Sequence, residues 1–317
     1  MRQREGRTPA VDMRTLAVLA LVAVTAIWGS TFVIIKETIA TVDPSDFLFF
    51  RFLIASLVLV TVFGRRLPAV GPRRAIIALA IGGVYGLAQL LQTWGLAHTA
   101  ASISGFLTGA YVVFTPFIAF LVLRSRISGR TVLASLIALA GIAVLSVTGF
   151  SVGGGEALTL VSALVYALHI VLVGLFARHI SAIDFTTLQM IGITVVVGGF
   201  AFRGGIQVPS ETGAWAAILY TALLASIGVL FLQSWAQRFV VAATTAVVMA
   251  LEPIFATLFA VLLGGESITG RLLVGGLMIV LAILISSRDS SADQQKHGET
   301  ADPDVLDAED QHQMVRS

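Results

Sequence analysis

Glu252 is the one acid set deep in an apolar run of this chain, within "VMALEPIFAT" (248–257). If that run enters a membrane near Val241, Glu252 sits about 17 Å in, at 1.5 Å per residue. A carboxylate at such depth is costly and marks a functional position by default. Three roles fit it: binding a substrate amine, titrating in proton coupling, or a structural hydrogen bond across helices beside Pro253. Two further pairs have spacing that matters. Trp28 and Thr31 in "TAIWGSTFVI" (25–34) are three apart, as are Tyr166 and His169 in "ALVYALHIVL" (163–172), so each pair shares a helix face. Together they could set aromatic and polar groups on opposite walls of one cavity, with Tyr111 beside them. His169 either takes up a proton near neutral pH or is simply hydrogen-bonded structure. Gln89, Gln92 and Gln233 carry uncharged amides that bind a zwitterion or bridge helices.

Pro116 and Pro253 fall in the middle of apolar segments. Each removes a backbone bond and frees the carbonyl four residues back, near Val112 and Met249, giving a ligand, a moving hinge or a static kink. Arg51 lies about one and a half turns into its segment. It reaches the outer surface along its own stem, pairs with Asp46, or serves as a gate or a holder of a substrate carboxylate. Trp94 and Trp235 end their segments and read as interfacial anchors.

These residues need elements to hold them, and composition says which. The 317 residues are 57% hydrophobic and only 12% charged, with a mean hydropathy of +0.93. A soluble globule carries about 25% charged residues, so the bulk of this chain sits in lipid. There are no cysteines, hence no disulfide framework and no thiolate metal site. Ten apolar segments can be marked, at about 16–36, 45–63, 75–96, 102–123, 131–148, 156–176, 184–201, 214–235, 241–263 and 271–287. Each is near the ~20 residues a spanning helix needs, and none alternates as barrel strands do. The first is too long for a signal-peptide core. The fold expected is all-α and polytopic, with ten transmembrane helices.

The basic residues orient it. With the N-terminus inside, the inner segments hold 16 of the 20 Lys and Arg residues, leaving only Lys36, Arg51, Arg203 and Arg271. Such a bias places both termini in the cytoplasm and the chain in the cytoplasmic membrane. The calculated pI of 9.3 reflects these loop arginines and not a nucleic-acid surface. The loops are too short for a catalytic domain, and the acidic tail reads as disordered.

The chain also repeats itself. "LQTWGLAHTA" (91–100) returns as "LQSWAQRFVV" from Leu232, "SDFLFFRFLI" (45–54) aligns with "IDFTTLQMIG" (183–192), Pro116 with Pro253, and "ISGR" (127–130) with "ITGR" (268–271). Offsets stay between 137 and 141 through all five segments. A unit with an odd number of spans must enter the membrane upside down the second time. Inverted repeats of this kind are a signature of secondary transporters, whose substrate site lies near the midplane between halves. The organisation expected is an N-terminal tail at 1–15, a first five-helix repeat at 16–148, a connecting loop at 149–155, a second repeat at 156–287 and an acidic tail at 288–317.

The stretches "WGSTFVIIK", "FLTGAYVVFTPFIAFLVLR", "ALAGIAVL" and "ALEPIFATLFAVLLGGESITGR" resemble the EamA-type branch of the drug/metabolite transporter superfamily. The resemblance covers roughly residues 16–287. It implies two inverted five-helix units around a central cavity lined by helices one, three, four, six, eight and nine. It further implies export, or in some members import, of amino acids, other metabolites or drugs. Family members often carry a Glu in the loop after helix four; this chain has "LRSRISGR" there and keeps such a Glu only in the second half, at Glu266.

Other chemistries lack their residues. There is no G-x-x-x-x-G-K-[ST] loop, since "VGGGEA" (152–157) has no lysine, and no H-E-x-x-H or metal-spaced cluster. The expectation is therefore a secondary transporter with no enzymatic activity, no cofactor and no metal. It would move a small amino acid-like or drug-like metabolite by alternating access, with export favoured. Its partners would be that substrate, the bilayer and, through Glu252 or His169, protons. The alternatives are an importer of the same family or, from another class, a membrane-embedded enzyme or receptor.

Overall fold

The computed structural model describes residues 12–124, 127–146, 153–240, 245, 248–249, 251–282 and 285. Most of the N-terminal tail, part of the connecting loop, parts of the ninth and tenth segments and the whole acidic tail lie outside the described residues. Among those described, the chain is helical throughout and has no strand.

The helices begin and end where side-chain chemistry allows. Met13–Thr38 forms α1. Asp43 then starts α2 (Pro44–Phe63): its carboxylate accepts from the Ser45 and Asp46 amides at 2.8 and 3.4 Å, and Pro44 occupies the first helical position. Both devices satisfy or dispense with amides that lack an intrahelical partner. A 3-10 stretch, Gly64–Val70, leads to Gly71, whose φ of 81° only glycine takes freely. Pro72–Ala97 is α3, Ala101–Thr108 is α4, Tyr111–Leu123 is α5 and Gly129–Ser146 is α6. Gly154–Phe176 is α7, and Ser181 caps α8 (Ala182–Gly204) by accepting from the Asp184 amide. Thr212–Ala222 (α9) and Val229–Ala236 (α10) are joined by a π-helical turn, Leu223–Gly228. Glu252–Leu262 is α11 and Gly270–Ala282 is α12.

Seven of these stretches are long and apolar enough to cross a membrane: Met13–Thr38, Pro44–Val70, Pro72–Ala97, Ala101–Leu123, Gly154–Phe176, Ala182–Gly204 and Thr212–Ala236. Val132–Gly141, Glu252–Leu262 and Gly270–Ala282 are shorter apolar helices. The segment expected at 102–123 is divided at Gly109–Ala110, six residues before Pro116, and not at the carbonyl freed by that proline. Gly109 also marks a close approach, since a Cβ there would lie 2.7 Å from the ring of Pro253.

The surface is apolar, with Leu121, Phe202, Leu262 and Leu277 exposed, while the interior combines an apolar core (Phe47, Phe52, Phe185) with buried polar groups such as Arg51, Gln89, His169 and Gln189. Exposed apolar side chains and inward-facing ionisable ones suit a lipid solvent. The helices of the two halves interleave: α3 packs on α7 and α8, α1 on α10 and α11, α2 on α8 and α9, and α5 on α7. At the α3–α8 crossing a Cβ on Gly82 would run into the backbone of Gln189, and one on Gly192 into the backbone of Leu79. The two helices touch backbone to backbone, the close approach that small residues permit in membranes.

Candidate functional site

A cavity of about 30 Å³ lies among these helices. It is lined by Trp28, Thr31, Gln89, Gln92, Tyr111, Tyr166, His169, Gln233 and Glu252, so the nine residues singled out as cavity candidates stand around one space. Arg51, Tyr85 and Thr108 complete much of its polar wall. The volume holds on the order of two water molecules. Asp46, Pro116 and Pro253 do not reach it.

The polar groups form a bridge between halves. Gln89 of α3 donates through Nε2 to the Tyr85 hydroxyl at 3.1 Å and to the Tyr166 hydroxyl of α7 at 2.6 Å. Tyr166 donates onward to Gln92 Oε1 at 3.0 Å, and Gln92 Nε2 donates to Thr108 Oγ1 at 3.0 Å. The spacing of Gln89 and Gln92 on one face of α3 makes this possible, since one hydroxyl meets both amides. Aromatic rings back the network: Tyr85 lies 5.5 Å from Tyr166 and 4.9 Å from His169, centroid to centroid. His169 Nε2 is engaged with Gln189 Oε1 at 2.8 Å, so the imidazole is held in place by α8.

Arg51 neither reaches outward nor meets Asp46. It is 1% exposed; its Nε donates to Ser226 Oγ at 2.8 Å and its Nη1 to Gln89 Oε1 at 3.4 Å. Asp46 instead accepts from the Gln207 amide through Oδ2 at 3.0 Å. What turns the guanidinium inward is the π turn. Its wider winding places Ser226, whose hydroxyl donates to the Thr221 carbonyl at 2.9 Å, opposite Arg51. The same turn presents the Ala225 carbonyl to Trp28 Nε1 at 2.9 Å. Single π turns inside α-helices often accompany functional sites. Sequence reasoning missed this turn and Ser226, for which no local pattern gives notice. It also missed Tyr85, which a search for polar groups one turn before Gln89 would have found.

Glu252 begins α11 and is 4% exposed. Among the described residues its carboxyl receives one bond, a 3.4 Å donation from the Tyr111 hydroxyl to Oε2. Arg51 and Glu252 line the same cavity but do not bond each other. Among the described residues Gln233 has no hydrogen-bond partner at either its Nε2 or its Oε1, although both atoms are buried.

A second polar assembly sits at the α3–α4 connector. Lys36 Nζ donates to the Leu96 and Thr99 carbonyls at 2.8 and 2.7 Å. Glu266, from the α11–α12 loop, accepts from the Ala101 and Ser102 amides at 3.0 and 3.4 Å and from the Ser102 hydroxyl. The carboxylate thereby caps amides at the positive end of α4, and the ammonium caps carbonyls at the end of α3. Opposite charges from two other elements thus clamp one connector.

The model of the EamA-like transporter family matches this chain twice, at residues 15–147 and 153–288. The chain belongs to the EamA-like transporter family. It is accordingly a multi-pass membrane protein of a transporter family, whose partners are the bilayer and small-molecule substrates. An "uncharacterized transporter" of Archaeoglobus fulgidus is 31% identical to this EamA-like chain over 275 residues, covering 86% of each. An "uncharacterized transporter" of Clostridium kluyveri is 24% identical, covering 88% of this chain and 96% of its own length. YetK of Bacillus subtilis, also called an uncharacterized transporter, is 26% identical over 67% of this chain and 68% of its own. A solved crystal structure superposes with a TM-score of 0.66 at 17% identity, over 88% of this chain and 98% of that one, a likeness of fold.

Proposed function

We propose that this EamA-like chain is a secondary transporter that moves a small, net-neutral metabolite across the cytoplasmic membrane by alternating access, with export as its direction. The observation that carries the reading is the buried polar cavity shared by the two halves, with Arg51 and Glu252 at one space and unpaired with each other. Opposite formal charges lining one cavity favour cargo with no net charge. The cavity is smaller than the ~300 Å³ expected of a ligand site. Cargo binding is therefore tied to a movement that widens it.

The movement proposed is a rocking of two inverted five-helix units, residues 16–148 and 156–287, within a ten-helix bundle. Two observations support it. The family model matches each unit separately. In addition, three packings are returned when helices are replaced by their repeat counterparts: α3 on α7 becomes α10 on α1, α5 on α7 becomes α11 on α1, and α2 on α8 maps to itself. An arrangement of that kind has two conformations of similar energy. With the N-terminus in the cytoplasm, the Lys36–Glu266 clamp lies at the outer end and acts as the outer gate.

No phosphate loop supplies ATP chemistry, so the driving force is a gradient. Glu252 is the proton-carrying candidate, because His169 is committed to Gln189. Proteoliposomes loaded with a panel of amino acids and neutral drugs test the reading. Cargo-dependent efflux that rises with an imposed gradient is expected; no flux for any member of a broad panel removes it. Inside-out and right-side-out vesicles distinguish export from import.

A further inference from the structure

Three carboxamides line the cavity, and their bonding differs. Gln89 spends its oxygen on Arg51 and its nitrogen on Tyr85 and Tyr166. Gln92 spends its oxygen on Tyr166 and its nitrogen on Thr108. Gln233, on α10 and 1% exposed, spends neither atom. An unmade hydrogen bond on a buried polar atom is expensive, and Gln233, a residue of the cavity wall, carries two of them among the described residues. A leucine there would cost nothing of the kind. Its amide also differs from the nearby charges in what it can read: it offers one donor and one acceptor side by side, in a plane.

We infer that Gln233 determines cargo selection, and that the cargo carries a neutral donor–acceptor edge, as a primary carboxamide or a lactam does, on a flat body. The edge that satisfies both atoms of a carboxamide is another amide, donating to Oε1 and accepting from Nε2. The flat body follows from the walls, where Trp28, Tyr85, Tyr111 and Tyr166 present rings to the same space. A carboxylate in place of the amide would meet Gln233 Oε1 with an acceptor and leave that oxygen unpaired. A ketone would leave it empty. A site built around such a bond rejects the analogue that lacks it more strongly than an apolar wall rejects a missing methylene.

This inference rests on the transporter reading but is tested by equilibrium binding, so the two can fail separately. The full-length protein in lipid nanodiscs is titrated with nicotinamide, 3-acetylpyridine, nicotinate and uracil, following tryptophan fluorescence. Saturable binding of nicotinamide or uracil is expected, with 3-acetylpyridine and nicotinate at least about tenfold weaker. Gln233→Leu should bring the amide down to the level of the ketone, and Gln233→Asn should restore part of the preference. Thermal unfolding in the same nanodiscs confirms that each variant is folded. Equal binding of amide and ketone by the native protein overturns the inference. So does a preference that survives Gln233→Leu, and so does the absence of saturable binding by both amide probes. Binding without flux would instead remove the transporter reading and leave this one standing.

Discussion

The Arg51 guanidinium on α2 donates to the Ser226 hydroxyl at 2.8 Å, joining a buried cation of the first half to the π turn of the second. The bond holds the turn against the cavity wall and spends part of the fork that would otherwise face cargo. Ser226→Ala should therefore lower stability by about 1.5–3 kcal/mol, the usual worth of a hydrogen bond to a charged group. Arg51→Lys should lose more transport than stability, because an ammonium cannot reach Ser226 and Gln89 as a planar fork does. Thermal unfolding in detergent read beside proteoliposome flux separates the two. Variants with unchanged unfolding temperature and flux would show that the bond does neither job.

Among the described residues Glu252 receives a single long bond, from Tyr111. A carboxyl used only as structure would have more partners. Glu252→Gln should abolish flux or flatten its dependence on pH, while Tyr111→Phe should keep flux and shift that dependence. Flux measured from pH 5 to 8 decides it. Full activity with an unaltered profile in Glu252→Gln takes the residue out of the mechanism.

The clamp on the α3–α4 connector is charged on both sides. Glu266→Gln weakens the cap on α4, and Lys36→Met removes the one at the end of α3. Since the chain has no cysteine, Ile35→Cys, on the cavity wall near Lys36, reports the opening alone. A membrane-impermeant thiol reagent added outside should label it severalfold faster when combined with Glu266→Gln. Equal labelling rates would mean that the clamp does not gate access.

Gly82 and Gly192 leave no room for a side chain at the α3–α8 crossing. Gly82→Ala should destabilise the fold by about 1–3 kcal/mol, as overpacking does. Gly199→Ala, where a Cβ meets open space, is the matched control. Comparable loss in both would place the cost in helix propensity or lipid contact and not in the crossing.

The inverted arrangement makes its own forecast. Arg66 and Arg203 are both exposed and lie near the C-terminal ends of the candidate spans Pro44–Val70 and Ala182–Gly204. Single cysteines at these positions should label from opposite sides of the membrane. Labelling from one side would end the proposed topology.

The helices themselves were legible because lipid imposes a simple requirement, length and apolarity, and because capping residues punctuate the ends. The apolar segment at 45–63 became Pro44–Phe63, closed at its start by Asp43. The segment at 184–201 became Ala182–Gly204, closed by Ser181. Spacing also brought Trp28, Thr31, Tyr166 and His169 to one place, since residues three apart share a face. What could not be read was set by neighbours distant in sequence. The need for glycine at Gly109 comes from the ring of Pro253, far along the chain. The inward turn of Arg51 depends on a π turn some 175 residues away. Gln233 is spelled like Gln89 and Gln92; only the allocation of partners sets it apart.

The Lys36–Glu266 clamp has one more consequence, which concerns tempo. At the repeat-matched positions the sequence has Gly174 and Ser125, neither of which bears charge. The proposed two-fold relation between the units is thus not kept at these two positions. In the proposed rocking, five hydrogen bonds must part before the clamped end opens. On that proposal the two half-cycles run at unequal speeds, the clamped end opening only as quickly as cargo releases those bonds.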